Sequence, residues 1–219
     1  MKILYEDNHI IAVEKPPGIP TMPDKSSDQS MLDMVRFYIK EKYMKPGDVF
    51  IGLVHRLDRS TGGAMVFART TKGASRLSKQ IREKQFKKTY LAVVEGIVPD
   101  KKGKLRNFVS KDRQINKSKV VESAGDEAKE AVLNYRVISE TGNLSLVEVK
   151  LETGRHHQIR VQFSNIGHPL WGDMKYGAAT GRGLGLWSYS VQFKKAVGDE
   201  EIVIVSEPDY CSEPWSLFR

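Results

Sequence analysis

The sequence predicts an α+β fold: a largely antiparallel mixed sheet with flanking helices. Three observations predict it. Strand-patterned segments outnumber helical ones, they do not alternate as βαβ units, and tight-turn residues join several of them directly. A composition of 40% apolar and 28% charged residues is ordinary for a folded chain of 219 residues. No repeat or linker interrupts it, so residues 1–219 are read as a single domain.

Ile3-Leu4-Tyr5 and His9-Ile10-Ile11-Ala12-Val13 read as two strands around the turn Glu6-Asp7-Asn8. Lys15-Pro16-Pro17-Gly18-Ile19-Pro20 is a rigid loop, because proline fixes φ and supplies no donor. Residues 29–43 place Met31, Leu32, Val35, Tyr38 and Ile39 on one helical face, and Pro46-Gly47-Asp48 stops that helix. Val49–Val54 and Ala64–Ala68 are short apolar strands on either side of a polar loop. Residues 71–84 form a second helix with Ala74, Leu77 and Ile81 as a narrow apolar stripe. Phe86–Glu95 is a strand closed by Gly96, and residues 103–124 resemble a basic hairpin. Ala131–Ser139 and Leu144–Leu151 pair across Glu140-Thr141-Gly142-Asn143. His156–Asn165 makes a short helix stopped by Gly167-His168-Pro169, and Leu184–Phe193 and Glu201–Ser206 are late strands.

No apolar run is long enough for a transmembrane helix, and the N-terminus has no signal-peptide hydrophobic region. The one cysteine, Cys211, cannot form an internal disulfide, so the cytoplasm is the expected compartment. The net charge is +8, but its distribution says more. Residues 69–88 hold eight Lys/Arg against Glu83, and residues 101–119 hold eight against Asp112, leaving the rest of the chain net acidic. Two such runs read as a footprint for nucleic-acid phosphates.

Residues 55–63, His-Arg-Leu-Asp-Arg-Ser-Thr-Gly-Gly, place Asp58 among two arginines, a histidine and a Thr-Gly-Gly turn. The arginines favour an ionised carboxylate and attract a polyanion. A second polar segment runs from Thr153 through Arg155-His156-His157-Gln158-Ile159-Arg160. Arg155 and Arg160 are five apart, about 140° around a helix, so one could pair with Asp58 while the other binds phosphate. His156 and His157 diverge on a helix and no carboxylate or cysteine joins them at ligand spacing, so no metal is expected. Gly181-Arg182-Gly183-Leu184-Gly185 lacks the strand and helix of a nucleotide loop. By periodicity alone Tyr90 is a core tyrosine with a hydrogen-bonded hydroxyl.

Taken in chain order, VEKPPGIPTMP, HRLDRSTGG, KKTYLAVVEG, LETGRHHQIRVQ and IGHPLWGDMKYG resemble the RluA family of pseudouridine synthases. The resemblance implies the pseudouridine synthase catalytic fold and an isomerase that turns uridine into pseudouridine. Asp58 matches the family's essential aspartate, Tyr90 the tyrosine that stacks on the target uracil, and Arg160 the arginine that pairs with the aspartate. Arg56 matches a residue implicated in displacing the target base. Gly62 departs from the serine usual in that turn, and the chain is expected to begin directly in the catalytic domain. The isomerisation loses no atom, so no cofactor is expected. Ribosomal or transfer RNA is the expected partner, with no membrane, and the chain is expected to act as a monomer. Arg56, Arg155, His157, Lys79, Arg82, Lys84 and Lys88 are the expected RNA contacts.

Overall fold

The computed structural model describes every residue except 126, 180, 181, 197 and 199. The expected Gly-rich loop at 181–185 therefore lies partly outside the described residues, at Gly181. Eleven strands and three α-helices are present among the described residues. The chain forms two compact units, one of Met1–Lys88 with Ser188–Glu207, the other of Thr89–Trp187 with Pro208–Arg219.

In the first unit, β1 (Lys2–Glu6) pairs antiparallel with β2 (Ile10–Lys15), and β2 pairs antiparallel with β4 (Gly62–Ala68). On β4 also lie the two-residue β3 (Gly52–Leu53) and, beyond it in the sheet order, β10 (Leu186–Lys194), which carries β11 (Glu201–Val205). All seven residues of β4 are buried, which is why its sequence is a continuous apolar run rather than an alternation. One face joins Ile10, Ala12, Val66, Ala68, Val191 and Phe193 to Leu77 of α2 (Thr71–Arg82). Ile11, Val13, Met65 and Phe67 alternate to the other face and are equally buried.

Both helices of this unit carry side-chain caps. Helix α1 (Met31–Lys42) opens with a capping box in which Ser30 and Asp33 satisfy each other's backbone N–H groups. Thr70 caps α2 by accepting from the Gly73 N–H. Gly73 also lets α2 approach β2, since a Cβ there would sit 2.6 Å from the His9 carbonyl oxygen.

The strand expected at 49–54 shrinks to Gly52–Leu53, and the reason is local. The ladder reaches Leu53 opposite Phe67, and then the His55 imidazole accepts the Val66 N–H at 3.0 Å in place of a backbone carbonyl. The next residues are thereby released as loop. Strand β4 begins earlier than expected, at Gly62, and the left-handed backbone falls on Gly63, at φ 111°. A Cβ on Gly63 would lie 2.3 Å from the Ser188 carbonyl oxygen, so only glycine fits there.

In the second unit the order is β5 (Lys87–Glu95), β9 (Leu144–Leu151), β8 (Ala128–Thr141), β6 (Lys102–Asp112) and β7 (Lys117–Val121). The last four pair antiparallel as two expected hairpins. Helix α3 (Gln158–Asn165) packs on β6 and β7, with Val161 against Val109, Ala131 and Tyr176. It starts two residues later than the pattern suggested because His157 adopts a left-handed conformation, φ 52°. Among the described residues no side chain caps α3; the Gln158 Oε1 instead ties down the preceding turn, accepting from the Arg155 N–H and the Thr153 hydroxyl.

Candidate active site

The first unit holds Asp58, Arg56, Lys79, Arg82, Lys84 and Lys88; the second holds Tyr90, Arg155, His157 and Arg160. Asp58 sits half-buried on the loop between β3 and β4, in a turn closed by the Thr61 N–H on the Asp58 carbonyl at 3.0 Å. That loop is anchored from beneath. Lys15, at the end of β2, has no solvent exposure, and its ammonium donates to the carbonyls of Pro16, Arg59 and Thr61 at 3.0, 2.9 and 2.8 Å. Burial pulls its pKa down to about 8, against the opposing pull of the Asp58 carboxylate.

Thr21 acts as a substitute strand neighbour. Its hydroxyl donates to the Leu57 carbonyl at 2.8 Å and accepts from the Leu57 N–H at 3.3 Å. The Gly18 N–H adds a bond to the Arg59 carbonyl at 2.8 Å. The Arg59 guanidinium turns outward to Ser26 and Asp28, so it fastens the 16–28 loop to the Asp58 loop. Arg56, by contrast, is exposed. The proline-rich segment therefore serves as a clasp around residues 57–61, which keeps a carboxylate on a loop without leaving that loop free to move.

His55 packs its ring against Phe86, centroids 5.4 Å apart, and burial drives its pKa down to about 3 with Lys88 as a further, smaller cause. Lys88 is itself lowered by burial. Arg69, counted in the first basic run, is taken up structurally: it pairs with Glu6 at 3.0 Å and lies over the Tyr43 ring at 4.6 Å. Lys79, Arg82 and Lys84 remain exposed, along with Lys72 and Arg76. The exposed side of α2 is thus predominantly basic, with Lys84 just beyond its end and Glu83 pairing with Lys79 at 3.8 Å.

In the second unit Tyr90 lies on β5 with only 6% exposure. Arg160 is buried in α3 and binds Asp173 through both ends of its guanidinium, Nε to Oδ2 at 2.6 Å and a terminal nitrogen to Oδ1 at 2.7 Å. A bidentate pair of this kind fixes the plane of an arginine. Asp173 was not singled out from the sequence, although the segment containing it was. Arg155 is exposed and donates from Nε to the Glu130 carbonyl at 2.8 Å. His157 is buried, stacked on His156 at 3.8 Å, and bonded through Nδ1 to the Tyr176 hydroxyl at 2.9 Å.

The second basic run is partly neutralised. Lys101, Lys104 and Arg106 pair with Glu140, Glu152 and Glu130 at 2.6, 2.8 and 2.6 Å. Lys102, Lys111 and Lys119 make no ion pair among the described residues and stay exposed on the β6–β7 hairpin.

The profile of the RNA pseudouridylate synthase family matches residues 9–165. The chain belongs to the RluA family of RNA pseudouridine synthases. The family is one of isomerases, and membership places this chain in that enzyme class. It is 35% identical to the uncharacterized RNA pseudouridine synthase YhcT of Bacillus subtilis (strain 168), over 100% of this chain and 72% of the relative. It is 34% identical to ribosomal large subunit pseudouridine synthase D of Zymomonas mobilis, over 81% of this chain and 56% of that one. The chain thus spans little more than half the length of that relative. Its fold is that of human RNA pseudouridylate synthase domain containing 4, with a TM-score of 0.80 at 24% identity over 95% of this chain and 89% of that one. The family match spans the Asp58 loop, β5 with Tyr90, and all of α3 with Arg160.

Both His55 and His157 are held neutral, His157 with its pKa down to about 2 by burial first and neighbouring Arg160 second. Below about pH 6.5 the unfolded chain binds protons that the folded chain refuses, so stability is full above that pH and declines as pH falls toward 3. Denaturant unfolding followed at pH 7, 6, 5 and 4 should show a falling midpoint, with a slope of the order of 1 kcal/mol per pH unit per histidine. His157→Gln should flatten that slope; an unchanged slope would remove His157 from the acid response.

Proposed function

We propose that this chain isomerises specific uridines in structured RNA to pseudouridine, with Asp58 as the essential carboxylate and no cofactor, as a monomer in the cytoplasm. We take its two units to work together as one catalytic domain. The observation that carries the reading is the clasped loop: the Asp58 backbone is anchored by buried Lys15 and by Thr21, within the matched family segment.

The reaction breaks the bond between ribose C1′ and uracil N1, turns the ring, and joins C1′ to C5. The proton on C5 leaves and N1 gains one, so atoms and electrons balance without an oxidant. Asp58 would supply the carboxylate that attacks the sugar or the base, or takes a ribose proton. Arg160 would hold that carboxylate ionised and aimed, since a guanidinium beside a carboxylate lowers its pKa. The Tyr90 ring would keep the detached uracil stacked and in place, and its hydroxyl, or a water it orients, would take the C5 proton. Arg56, exposed beside Asp58, would fill the gap left by the extruded base and hold phosphate.

RNA binding would use the cationic side of α2 with Lys79, Arg82 and Lys84, joined by Lys88, Arg155 and His157. Because His157 is buried, its contribution to binding would be to shape the surface around Arg155. The relatives named for the large ribosomal subunit make ribosomal RNA the first substrate to test, with transfer RNA the second. The direct experiment incubates the protein with unmodified transcripts of both RNAs and maps pseudouridine. Binding without isomerisation on either would identify an RNA-binding protein that has kept only the fold. Replacing Lys79, Arg82 and Lys84 together with glutamine should weaken RNA binding and reduce its log–log salt slope by about 2 to 3. Turnover at saturating RNA should survive. An unchanged slope would take α2 out of the footprint.

A further inference from the structure

We infer that Tyr176 is a positioning residue for Arg160, and that through it the basic hairpin β6–β7 sets the orientation of that arginine. The inference rests on the reading of Arg160 as a residue of the reaction. Tyr176 is 5% exposed and lies in a short 3-10 turn, Met174–Tyr176, directly after Asp173. The Arg160 guanidinium carbon stands 5.1 Å from the Tyr176 ring centroid, and the Lys117 ammonium 5.2 Å from it. One aromatic ring is therefore shared by a cation of α3 and a cation of β7, each drawn to the negative ring face.

The hydroxyl extends the connection. It accepts from the Ser118 N–H on β7 at 2.7 Å and meets His157 Nδ1 at 2.9 Å. Since His157 is neutral, its Nδ1 can accept the phenolic proton while the oxygen accepts from Ser118. The backbone of the turn is fixed as well. The Ser164 hydroxyl donates to the Tyr176 carbonyl at 2.7 Å, and Tyr176 N–H donates to the Asp173 carbonyl at 2.9 Å. The neighbouring Lys175 ammonium reaches the Ile115 and Asn116 carbonyls at the hairpin tip, at 3.3 and 3.2 Å.

Arg160 is thus held by two supports that start from one turn, a carboxylate in its plane and a ring on its face. Both are tied to the hairpin whose Lys102, Lys111 and Lys119 point to solvent. Phosphates engaging the hairpin would load the Ser118–Tyr176 joint and fix the guanidinium. Correct RNA would then be felt at the arginine, which makes the hairpin a specificity element for the reaction.

The test uses the full chain and transcripts of ribosomal and transfer RNA carrying tritium on uracil C5, with tritium release as the readout. Tyr176→Leu removes the ring, and the rate at saturating RNA should fall by about tenfold or more, as expected for a misaligned catalytic group. Tyr176→Phe keeps the ring but leaves the Ser118 N–H without its acceptor. It should restore the saturating rate to within about threefold of wild type while KM rises by about tenfold. That division between the two variants is what a purely structural tyrosine would not produce. A folded Tyr176→Leu protein with the wild-type saturating rate overturns the positioning role. If Tyr176→Leu does not fold, Tyr176→Phe decides alone, and an unchanged KM overturns the coupling to the hairpin. Arg160→Lys is measured beside them: if it too leaves the rate unaffected, the role assigned to Arg160 has failed rather than that of Tyr176.

Discussion

Asp58→Asn is expected to abolish pseudouridine formation, by at least roughly 10³-fold, with the fold intact. The loss follows from chemistry: an amide cannot serve as the nucleophile or the base, and it forfeits the ionic attraction that an arginine provides. The intact fold follows from the way the loop is held. Several contacts that anchor residues 57–61 are made by backbone groups: the carbonyls of Arg59 and Thr61 to Lys15, both backbone groups of Leu57 to Thr21, and the Asp58 carbonyl to the Thr61 N–H; the Arg59 guanidinium adds its bonds to Ser26 and Asp28. Asparagine keeps the shape and leaves all of these in place. One electrostatic effect remains, because the Asp58 charge favours the Lys15 ammonium, so the variant should lower the Lys15 pKa further below about 8. Tritium release and thermal melting, both at pH 7, check the two halves of the expectation. Residual turnover near wild type in a protein of unchanged melting temperature would exclude Asp58 as the essential group.

The fold was readable from sequence wherever local pattern and tertiary demand agree. Alternation gave β11, whose Ile202 and Ile204 face inward while Glu201, Val203 and Val205 face out. The α2 stripe at Ala74, Leu77 and Ile81 found its core, and the turn at residues 140–143 joined β8 to β9. The failures have a common cause, which is a side chain taking over a backbone task. His55 ends β3, and Gln158 with left-handed His157 postpones the start of α3; neither leaves a mark in hydrophobic periodicity. The site divides similarly. Asp58, Tyr90 and Arg160 stood out by motif, and family membership covers their segments. Their supports did not stand out. By pattern Lys15 only opens the rigid proline loop, and Asp173 and Tyr176 are only members of the IGHPLWGDMKYG segment. What makes them supports is burial and long-range hydrogen bonding, and a sequence displays neither. Charge was legible only in sum: Arg69 and Arg106 counted toward a basic surface, yet they pair with Glu6 and Glu130.

Lys15→Met should damage both stability and rate, and so differ from Asp58→Asn. Methionine matches the lysine stem in length and apolar character, so packing around the stem survives. What disappears is the ammonium that donates to three carbonyls in a place without solvent exposure. Removing a buried charge recovers its desolvation cost, which works in the variant's favour. Against this, the Pro16, Arg59 and Thr61 carbonyls lose this donor; Arg59 keeps the Gly18 N–H as a second partner. A net loss of about 2 to 4 kcal/mol is expected, since each carbonyl left without a partner costs about 1 to 3 kcal/mol. The loop that carries Asp58 would then sample positions away from the reacting one, and a displacement of about 1 Å is enough for a loss of the order of 100-fold in rate. RNA affinity should stay close to wild type, because a fully buried ammonium cannot touch phosphate. Denaturant unfolding, single-turnover tritium release and RNA binding together separate these effects. Loss of RNA affinity with an unchanged single-turnover rate would contradict the anchoring role. Loss of rate and stability together, with affinity kept, would mean that a lysine out of reach of the RNA acts on catalysis by fixing the backbone on which the carboxylate stands.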